Sequence, residues 1–330
     1  DEKPGQLSGL TRVRAITQDD GHLFLRVAQI KQEVGTIVSI IKEFYTTLGM
    51  VDDYWVSLSV SDPATPEKYL GSREVWETAE SSLEEAAKQF ELPYKKIEGE
   101  AAFYGPKLDF MFKDAIGRQW QLATIQLDFN LPNRFDLSYV NEQGEKERPV
   151  VIHRAISGSL ERFMGVMIEH FAGIFPLWLA PRQVIVVPVG EKFNDYAEKV
   201  LKSLKDADIR AEIDLSSDGL NKKVRNAEQS RINYILVVGE KEEANNGVAV
   251  RNYKTKEQTE ISLLEFTKTA QEEIQLKPFE QKEGQKYKVI QITDVGLHTN
   301  KHRPTNTVKA LKEAMESGEP GRIYSPLEKP

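Results

Sequence analysis

Residues 175–189 read FPLWLAPRQVIVVPV and mark the point at which the pattern of the chain changes. Proline restricts the residue before it to extended conformations, so Pro176 and Pro181 are expected to end the pattern that precedes them. The run 183–189 is almost continuously apolar, which is typical of a strand with both faces buried. This stretch therefore predicts a boundary between two domains, with a buried strand opening the second.

The segment 181–274, on the C-terminal side of the boundary, alternates strands and helices. Expected strands cover 183–189, 210–213, 234–238 and 248–252, and expected helices cover 194–207, 220–231 and 262–274. This order is typical of a compact α/β domain with a mixed sheet. Residues 275–330 form a C-terminal extension of unknown role, with a candidate strand at 289–293 and a candidate helix at 308–315.

The segment 1–178, on the N-terminal side, has a different order. Expected strands cover 9–16, 22–27, 55–60, 108–112, 119–127 and 149–153, and expected helices cover 28–48, 74–90 and 159–171. Strands follow one another here without an alternating helix, which favours an antiparallel sheet with flanking helices. The prediction is an α+β domain followed by an α/β domain.

Composition narrows the classes of function. The chain of 330 residues has 44 basic and 51 acidic side chains, a net charge of −7, and no cysteine. The charge gives no global basic field, although a basic patch still permits RNA binding. The lack of cysteine excludes a disulfide and any thiolate ligand from this chain. With no apolar run of about 18–20 residues and no recognisable signal peptide, we expect a cytoplasmic enzyme or RNA-handling protein without a membrane partner.

Polar side chains follow each other at alternate positions on two expected strands. Gln18, Asp20 and His22 alternate on the first of them, and alternate residues of a strand face one way. The second carries Gln119 and Gln121, followed by the pair Thr124 and Gln126. Burying unpaired polar groups costs about 1–3 kcal/mol each, so these faces look towards solvent or towards a polar ligand.

Two further residues have an open interpretation. His153 ends an apolar strand. It is either a buried histidine that is hydrogen-bonded to a backbone carbonyl or a residue of a functional site. Arg162 lies early in an apolar helix. It is either neutralised by a carboxylate such as Glu161 or directed towards an anionic ligand. The chain lacks a Gly-rich phosphate loop and the common hydrolase motifs.

Several blocks of the chain resemble one family, the threonyl-tRNA synthetases of class IIa. The blocks are LSGLTRVR at 7–14, QDDGH at 18–22, AFYGPKLD at 102–109, ATIQLDF at 123–129, LPNRFDL at 131–137, IHRAI at 152–156 and GSLERF at 158–163. The resemblance extends from residue 1 to about 274. It implies a class II catalytic domain at 1–178 and, at 181–274, an anticodon-binding domain.

The resemblance implies a threonine–tRNA ligase. Such an enzyme uses ATP to convert threonine into threonyl-adenylate and transfers the threonyl group to tRNA(Thr). Its catalysis depends on positioning and charge stabilisation by arginines, a lysine and Mg²⁺ bound with ATP. A zinc ion holds the amino and hydroxyl groups of threonine, and loss of the hydroxyl ligand explains rejection of valine. The family enzyme is a homodimer.

Site residues carry over from the resemblance by position. His22 and His153 match zinc ligands. The positions that match the threonine site are Gln18, Asp20, Tyr104 and Gln126. The ATP positions are Arg12, Gln121 and Arg162, and Lys107 lies near the reacting phosphate, so Arg12, Lys107 and Arg162 are the catalytic candidates. In the second domain, Glu242 and Arg251 match positions that read anticodon bases.

Departures from the family pattern are also informative. Four features of the family are not in this sequence: motif 1, the motif 2 arginine, the zinc cysteine and the editing domain. In addition, Ser61-Asp62 stands where the family usually has an arginine. Ser216-Ser217-Asp218 stands where the family usually has Arg-Asn-Glu. The sequence is therefore expected to be the C-terminal part of a synthetase, and this chain alone is expected not to aminoacylate. The alternative is a non-catalytic tRNA-binding or regulatory paralogue, and a separate chain supplying motif 1 is a further possibility. The DNA upstream of the first codon distinguishes these interpretations.

Overall fold

The computed structural model describes residues 5–50, 53–114, 116–275, 288–291 and 321–324. The chain forms two compact units, one comprising Asp1–Val166 with Gln281–Pro330 and the other Met167–Glu280. The division falls before the prolines, whereas the sequence prediction puts the domain boundary at 178–181. The candidate helix at 308–315 lies outside the described residues.

The first unit is built on an eight-stranded sheet with a separate two-stranded hairpin. Its strands are β1 (Gly21–Leu25), β2 (Tyr54–Val60), β3 (Tyr94–Glu98), β4 (Lys107–Lys113), β5 (Gln119–Asp128), the hairpin β6 (Tyr139–Val140) and β7 (Lys146–Glu147), β8 (Val150–Ala155), β14 (Lys288–Gln291) and β15 (Gly321–Tyr324). The order in the large sheet is β14-β15-β1-β8-β5-β4-β2-β3. Pairing is antiparallel except for β14 with β15 and β2 with β3. The predicted antiparallel-rich α+β fold is confirmed.

Helices cover the apolar face of this sheet. The helices that begin in this unit are α1 (Ile30–Thr47), α2 (Arg73–Gln89), α3 (Asn130–Arg134) and α4 (Leu160–His170). The buried positions of α1 include Ile30, Val34, Ile37, Val38 and Ile41, which repeat with a helical period. Tyr45 stacks on Phe112 of β4, with ring centroids 3.7 Å apart, and donates a hydrogen bond to the backbone oxygen of Ile156. The polar side chains of the sheet are therefore left on its other face.

The strand predicted at 9–16 does not form. Residues Gly9–Thr11 make a short 3-10 turn, because the Ser8 carbonyl accepts from the amides of Thr11 and Arg12 and from the Thr11 hydroxyl. This turn satisfies the backbone locally, in competition with a ladder of strand hydrogen bonds. The regular strand begins only at Gly21, so Gln18 and Asp20 precede β1 instead of lying on it.

A buried carboxylate organises the turn between β4 and β5. The Asp114 side chain has no exposed surface. Its Oδ1 accepts from the backbone amides of Ile116 and Arg118. Its Oδ2 accepts from Arg118 Nε at 2.7 Å and Trp120 Nε1 at 2.9 Å. Burial alone would raise the pKa of Asp114, but these four donors overcome that effect and lower it to about 2.

This arrangement predicts a pH-dependent contribution to stability. The pKa of Asp114 is lower in the folded chain than its ordinary 3.8, so the stabilisation is complete above about pH 4 and is lost as pH falls towards 2. We expect Asp114→Asn to lower the free energy of unfolding by about 2 kcal/mol at neutral pH, and by much less near pH 2. Urea unfolding of both proteins at the two pH values measures this difference. An undiminished difference near pH 2 would contradict the assignment.

The second unit contains a five-stranded mixed sheet. Its strands are β9 (Val184–Pro188), β10 (Ala211–Ile213), β11 (Tyr234–Val238), β12 (Gly247–Asn252) and β13 (Gln258–Ser262), in the order β10-β9-β11-β12-β13. Its further helices are α5 (Asn194–Asp206), α6 (Leu220–Gln229), α7 (Glu240–Asn245) and α8 (Leu263–Gln275). Strand β9 pairs in parallel with both β10 and β11, whereas β12 and β13 are antiparallel additions.

The buried strand β9 lies at the centre of the second unit. Val184 and Val186 pack in one apolar cluster with α5 and α8, and Val187 packs in another with α6. Both faces of this strand are thus covered, as its apolar run predicts. Across the described ranges, no helix has the length and hydropathy needed to span a membrane.

Candidate functional site

Four side chains form a row across four neighbouring strands, and we call them the polar row: His22, His153, Gln126 and Lys107. His22 of β1 pairs with His153 of β8, His153 pairs with Gln126 of β5, and Gln126 pairs with Lys107 of β4. Residues that pair directly across a sheet lie on the same face. The imidazole centroids of His22 and His153 are 4.7 Å apart. Four predicted site residues, far apart in sequence, are therefore adjacent.

Tyr104 joins the polar row from the loop before β4. Its hydroxyl donates to Gln126 Oε1 at 2.6 Å, and its ring centroid is 5.6 Å from that of His153. The loop approaches β5 so closely that a Cβ on Gly105 would lie 1.7 Å from the carbonyl oxygen of Leu127. Only glycine permits this approach, which sets the position of Tyr104.

Asp128 fixes the orientation of one histidine. Its carboxylate is buried, and Oδ2 lies 2.9 Å from His153 Nε2. The other oxygen accepts from the amides of Asn130 and Leu131 at the start of α3. A hydrogen bond at one ring nitrogen leaves the other, Nδ1, as the atom available to a ligand.

His22 is held less tightly than His153. Its Nε2 is 3.7 Å from Asp20 Oδ2. Burial lowers the pKa of His22, with the neighbouring Asp20 carboxylate opposing the shift and His153 and Arg154 adding to it. The neutral imidazole is therefore favoured, which is the form that binds a metal or accepts a hydrogen bond.

The donors present account for only part of a zinc site. His22 and His153 offer two imidazoles on one face of the sheet, while catalytic zinc takes three protein ligands. The sequence has no cysteine. Within the described part of the chain, no group of three or more His, Asp or Glu side chains is arranged to hold a metal ion. The two histidines suit a zinc ion in chemistry but do not complete its coordination.

A β-bulge in β5 places Gln121 on the same face of the sheet as the polar row. The register pairs Phe110 with Ala123 but Met111 with Gln121, so Leu122 is an extra residue in β5. An extra residue reverses which face the following positions occupy. As a result, Gln121 Nε2 and Thr124 Oγ1, three residues apart, both donate to Asp109 Oδ1, at 2.8 and 2.7 Å.

Asp109 also binds the lysine of the polar row. Lys107 Nζ lies 2.6 Å from Asp109 Oδ2, with side-chain exposures of 19% and 6%. One buried carboxylate thus links Lys107, Gln121 and Thr124. Sequence reasoning missed Asp109 and Asp128, although a charged residue inside an apolar strand is a signal, because such a charge must find partners.

A third carboxylate that sequence reasoning missed, Asp19, joins the segment before β1 to the β8–α4 connection. Asp19 Oδ1 accepts from Arg154 Nη1 at 2.7 Å, and Oδ2 accepts from the amides of Ile156 and Ser157. Burial alone would raise the pKa of Asp19, but the bond from the Ser157 amide and the charge of Arg154 lower it overall. This carboxylate fixes the neighbours Gln18 and Asp20 relative to β8.

The predicted ATP-side residue Arg162 contacts the turn that precedes the other, Arg12. Arg162 Nε donates to the carbonyl oxygen of Thr11, next to Arg12, at 3.1 Å. Gln18 forms a bridge with Ser159, one turn before Arg162. Arg12 itself is exposed. The segment 11–18 therefore lies along the start of α4.

The two predicted anticodon residues occupy different elements of the second unit. Glu242 lies in the first turn of α7, where Oε2 accepts from the amide of Gly239 at 2.9 Å. Arg251 lies on β12, and its Nε and Nη2 are each 2.9 Å from Glu228 Oε1 of α6.

Two family models match this chain. The tRNA synthetase class II core domain (G, H, P, S and T) matches residues 1–171, and the anticodon binding domain matches residues 183–273. The threonine–tRNA ligase of Thermus thermophilus is 52% identical over 253 residues, covering 77% of this chain and 38% of the relative. The threonine–tRNA ligase of Bacteroides fragilis is 49% identical over 274 residues, covering 83% and 42%. The chain spans about two fifths of the length of these curated relatives.

Solved structures give the same comparison in three dimensions. The RNA binding domain of threonyl-tRNA synthetase from Cryptosporidium parvum Iowa II superposes with a TM-score of 0.77 at 39% identity, covering 82% of this chain and 67% of that one. The putative threonyl-tRNA synthetase ThrRS-1 from Aeropyrum pernix gives a TM-score of 0.68 at 32% identity, covering 83% and 67%.

Proposed function

This chain belongs to the threonyl-tRNA synthetase family of class II synthetases, and we propose on that basis that it provides the threonine, ATP and anticodon sites of a threonine–tRNA ligase. The reaction has two steps. The threonine carboxylate attacks the α-phosphorus of ATP and expels pyrophosphate, and the 3′-terminal hydroxyl of tRNA(Thr) then attacks the adenylate carbonyl and expels AMP. The whole protein is proposed to act as a homodimer in the cytoplasm.

The observation that carries the proposal is the polar row with Tyr104 and Asp109. Gln126 is held by the Tyr104 hydroxyl and is proposed to offer its amide to threonine. Asp20, whose Oδ2 is 3.7 Å from His22 Nε2 in the same row, and Gln18 are proposed to contact threonine as well. Next to Gln126, Lys107 brings a positive charge towards the reacting phosphate. Preorganised charge of this kind stabilises the charge that develops in the transition state.

Three further residues are proposed to hold ATP. Arg12 and Arg162 lie on either side of the Thr11 turn and would neutralise the phosphates of ATP. Gln121 is held in its orientation by a hydrogen bond to Asp109. Arginine suits phosphate because its planar donors match two oxygens at once. Mg²⁺ is proposed to enter with ATP and share this neutralisation.

His22 and His153 are proposed as the two zinc ligands that this chain contributes, a third ligand coming from elsewhere in the protein. When bound, zinc would coordinate the amino and hydroxyl groups of threonine and so distinguish it from valine. Asp128 keeps His153 in one orientation for this role. Equilibrium binding of Zn²⁺ to the His22→Ala variant, and of Mg²⁺–ATP to the Lys107→Ala variant, tests these assignments. Unchanged binding of either ligand would refute the corresponding one.

Binding of tRNA tests the function of the second unit. We expect the full chain to prefer tRNA(Thr) over a non-cognate tRNA at fixed salt, and Arg251→Ala to reduce that preference about tenfold, since a base contact is worth about 1–3 kcal/mol. Filter binding or fluorescence anisotropy at one salt concentration measures both affinities. Lys268→Ala, which removes one exposed cation from α8, is the matched control. Equal binding of both tRNAs to the wild-type chain would refute the proposed function.

A further inference from the structure

The guanidinium of Arg251 is held by a carboxylate that has no assigned role. Both Nε and Nη2 of Arg251 lie 2.9 Å from Glu228 Oε1, and Lys256 Nζ lies 3.4 Å from the same oxygen. The side chains of Arg251 and Glu228 are 30% and 27% exposed. A strand residue and a residue of the β12–β13 turn thus converge on one carboxylate oxygen of a helix residue.

The geometry of this contact orients the guanidinium. Glu228 engages the edge of Arg251 formed by Nε and Nη2, and two donors on one acceptor fix the plane of the group. The flat faces of a guanidinium are the surfaces that stack on a nucleobase. A fixed plane costs less conformational entropy when a base binds, since the side chain is already ordered.

The local charge balance favours selectivity over general affinity. A hydrogen bond from Arg251 is the largest influence on Glu228 and lowers its pKa, so the carboxylate is ionised at neutral pH. An ionised partner reduces the attraction of Arg251 for phosphates, which all tRNAs share. Lys256 is also constrained, with Nζ 4.0 Å from the centroid of the Tyr253 ring.

We propose that Glu228 is a positioning residue that orients Arg251 for base recognition and thereby raises selectivity for the cognate tRNA. This inference rests on the proposed function, because Arg251 must contact an anticodon base. Glu228 itself need not contact the RNA.

Two substitutions separate positioning from charge. Glu228→Ala removes both the acceptor and the charge, whereas Glu228→Gln keeps an acceptor oxygen at the same distance along the side chain. In the full chain, we expect Glu228→Ala to lower the ratio of cognate to non-cognate tRNA affinity about fivefold, a factor equivalent to about 1 kcal/mol. Glu228→Gln should restore a substantial part of the ratio. The matched controls are Glu272→Ala and Glu272→Gln, because Glu272 forms an exposed ion pair on α8.

A second comparison shows whether Glu228 acts through Arg251. Combining Glu228→Ala with Arg251→Ala should give the ratio of Arg251→Ala alone, and any further fall would overturn the proposal. An unchanged ratio in Glu228→Ala, or equal ratios in the alanine and glutamine variants, would also overturn it. These outcomes leave the proposed function intact as long as the wild-type chain prefers tRNA(Thr). Without that preference, both the function and the inference fail.

Discussion

Replacing Gly105 by alanine is expected to lower the free energy of unfolding of the first unit by about 3 kcal/mol or more. The added Cβ would lie 1.7 Å from the carbonyl oxygen of Leu127, which is backbone and cannot rotate away. The loop must therefore separate from β5, which breaks the hydrogen bond from the Leu127 amide to the Pro106 carbonyl. Tyr104 moves with this loop, so the hydrogen bond to Gln126 is expected to be lost as well.

Urea unfolding followed by tryptophan fluorescence measures this effect. Gly219→Ala is the control, because Gly219 has a negative φ and no atom within 4 Å of an added Cβ. Gly219 precedes α6 as its N-cap, where alanine is less favourable than glycine, so this control is expected to cost about 1 kcal/mol or less. If the two variants were equally stable, the close approach of the Tyr104 loop to β5 would be wrong.

Replacing Asp109 by alanine is expected to cost about 3–5 kcal/mol. The substitution leaves Lys107, whose side chain is 19% exposed, without its counter-ion. It also removes the acceptor that Gln121 and Thr124 share. An unpaired, largely buried charge is penalised far more than a surface charge, because neither water nor a partner solvates it. The binding of Mg²⁺–ATP should fall too, since Lys107 and Gln121 lose their orientation.

Two variants make the cause of this loss clear. Asp109→Asn keeps an oxygen for Gln121 and Thr124 and should cost less than the alanine variant. Asp53→Asn removes the partner of Lys113, an ion pair 2.5 Å long whose aspartate side chain is 65% exposed. Exposed pairs contribute about 0–1 kcal/mol. A cost for Asp109→Ala as small as that for Asp53→Asn would contradict the role given to the buried pair.

Sequence reasoning identified the family and the general fold, and both are confirmed. The family followed from blocks such as AFYGPKLD at 102–109, which the comparisons support independently. The α/β order of the second unit followed from apolar strands separated by amphipathic helices, and the strand at Tyr234–Val238 was predicted with its observed bounds. Periodic apolar patterns are reliable because burial drives these elements. The roles of the individual site residues stay predictions.

Elements without an apolar pattern were missed. Helix α7 contains four acidic or basic residues among six and has no buried residue, and β13 is a largely exposed edge strand. The strand expected at 9–16 failed for a related reason, since the alternation there does not outweigh the turn at Ser8. Local hydrogen bonding decides such segments, and its outcome depends on atoms that the hydrophobic pattern does not describe.

The carboxylate contacts of the site were also beyond sequence reasoning. Asp19 and Asp109 bind partners that are brought to them by the sheet register, up to 138 residues away in the case of Asp19 and Ser157. The polar row itself depends on the pairing of β1, β8, β5 and β4, which is not their order along the chain. Resemblance to a family pointed to most of these residues without indicating how they are held.

The bulge at Leu122 also sets the length over which β5 presents polar side chains on one face of the sheet. In a regular strand, Gln121 and Gln126 would face opposite sides, because they are five residues apart. With the extra residue, both face the polar side together with Thr124. Because the bulge places Gln121 opposite Met111 and Gln126 opposite Lys107, the two glutamines are separated by four strand steps, about 13 Å at about 3.3 Å per step, a length comparable to an amino acid joined end to end with a nucleoside phosphate. In the proposed function, both halves of such a ligand would contact residues of a single strand. The spacing of these residues is set by covalent backbone geometry and not by the packing of separate elements.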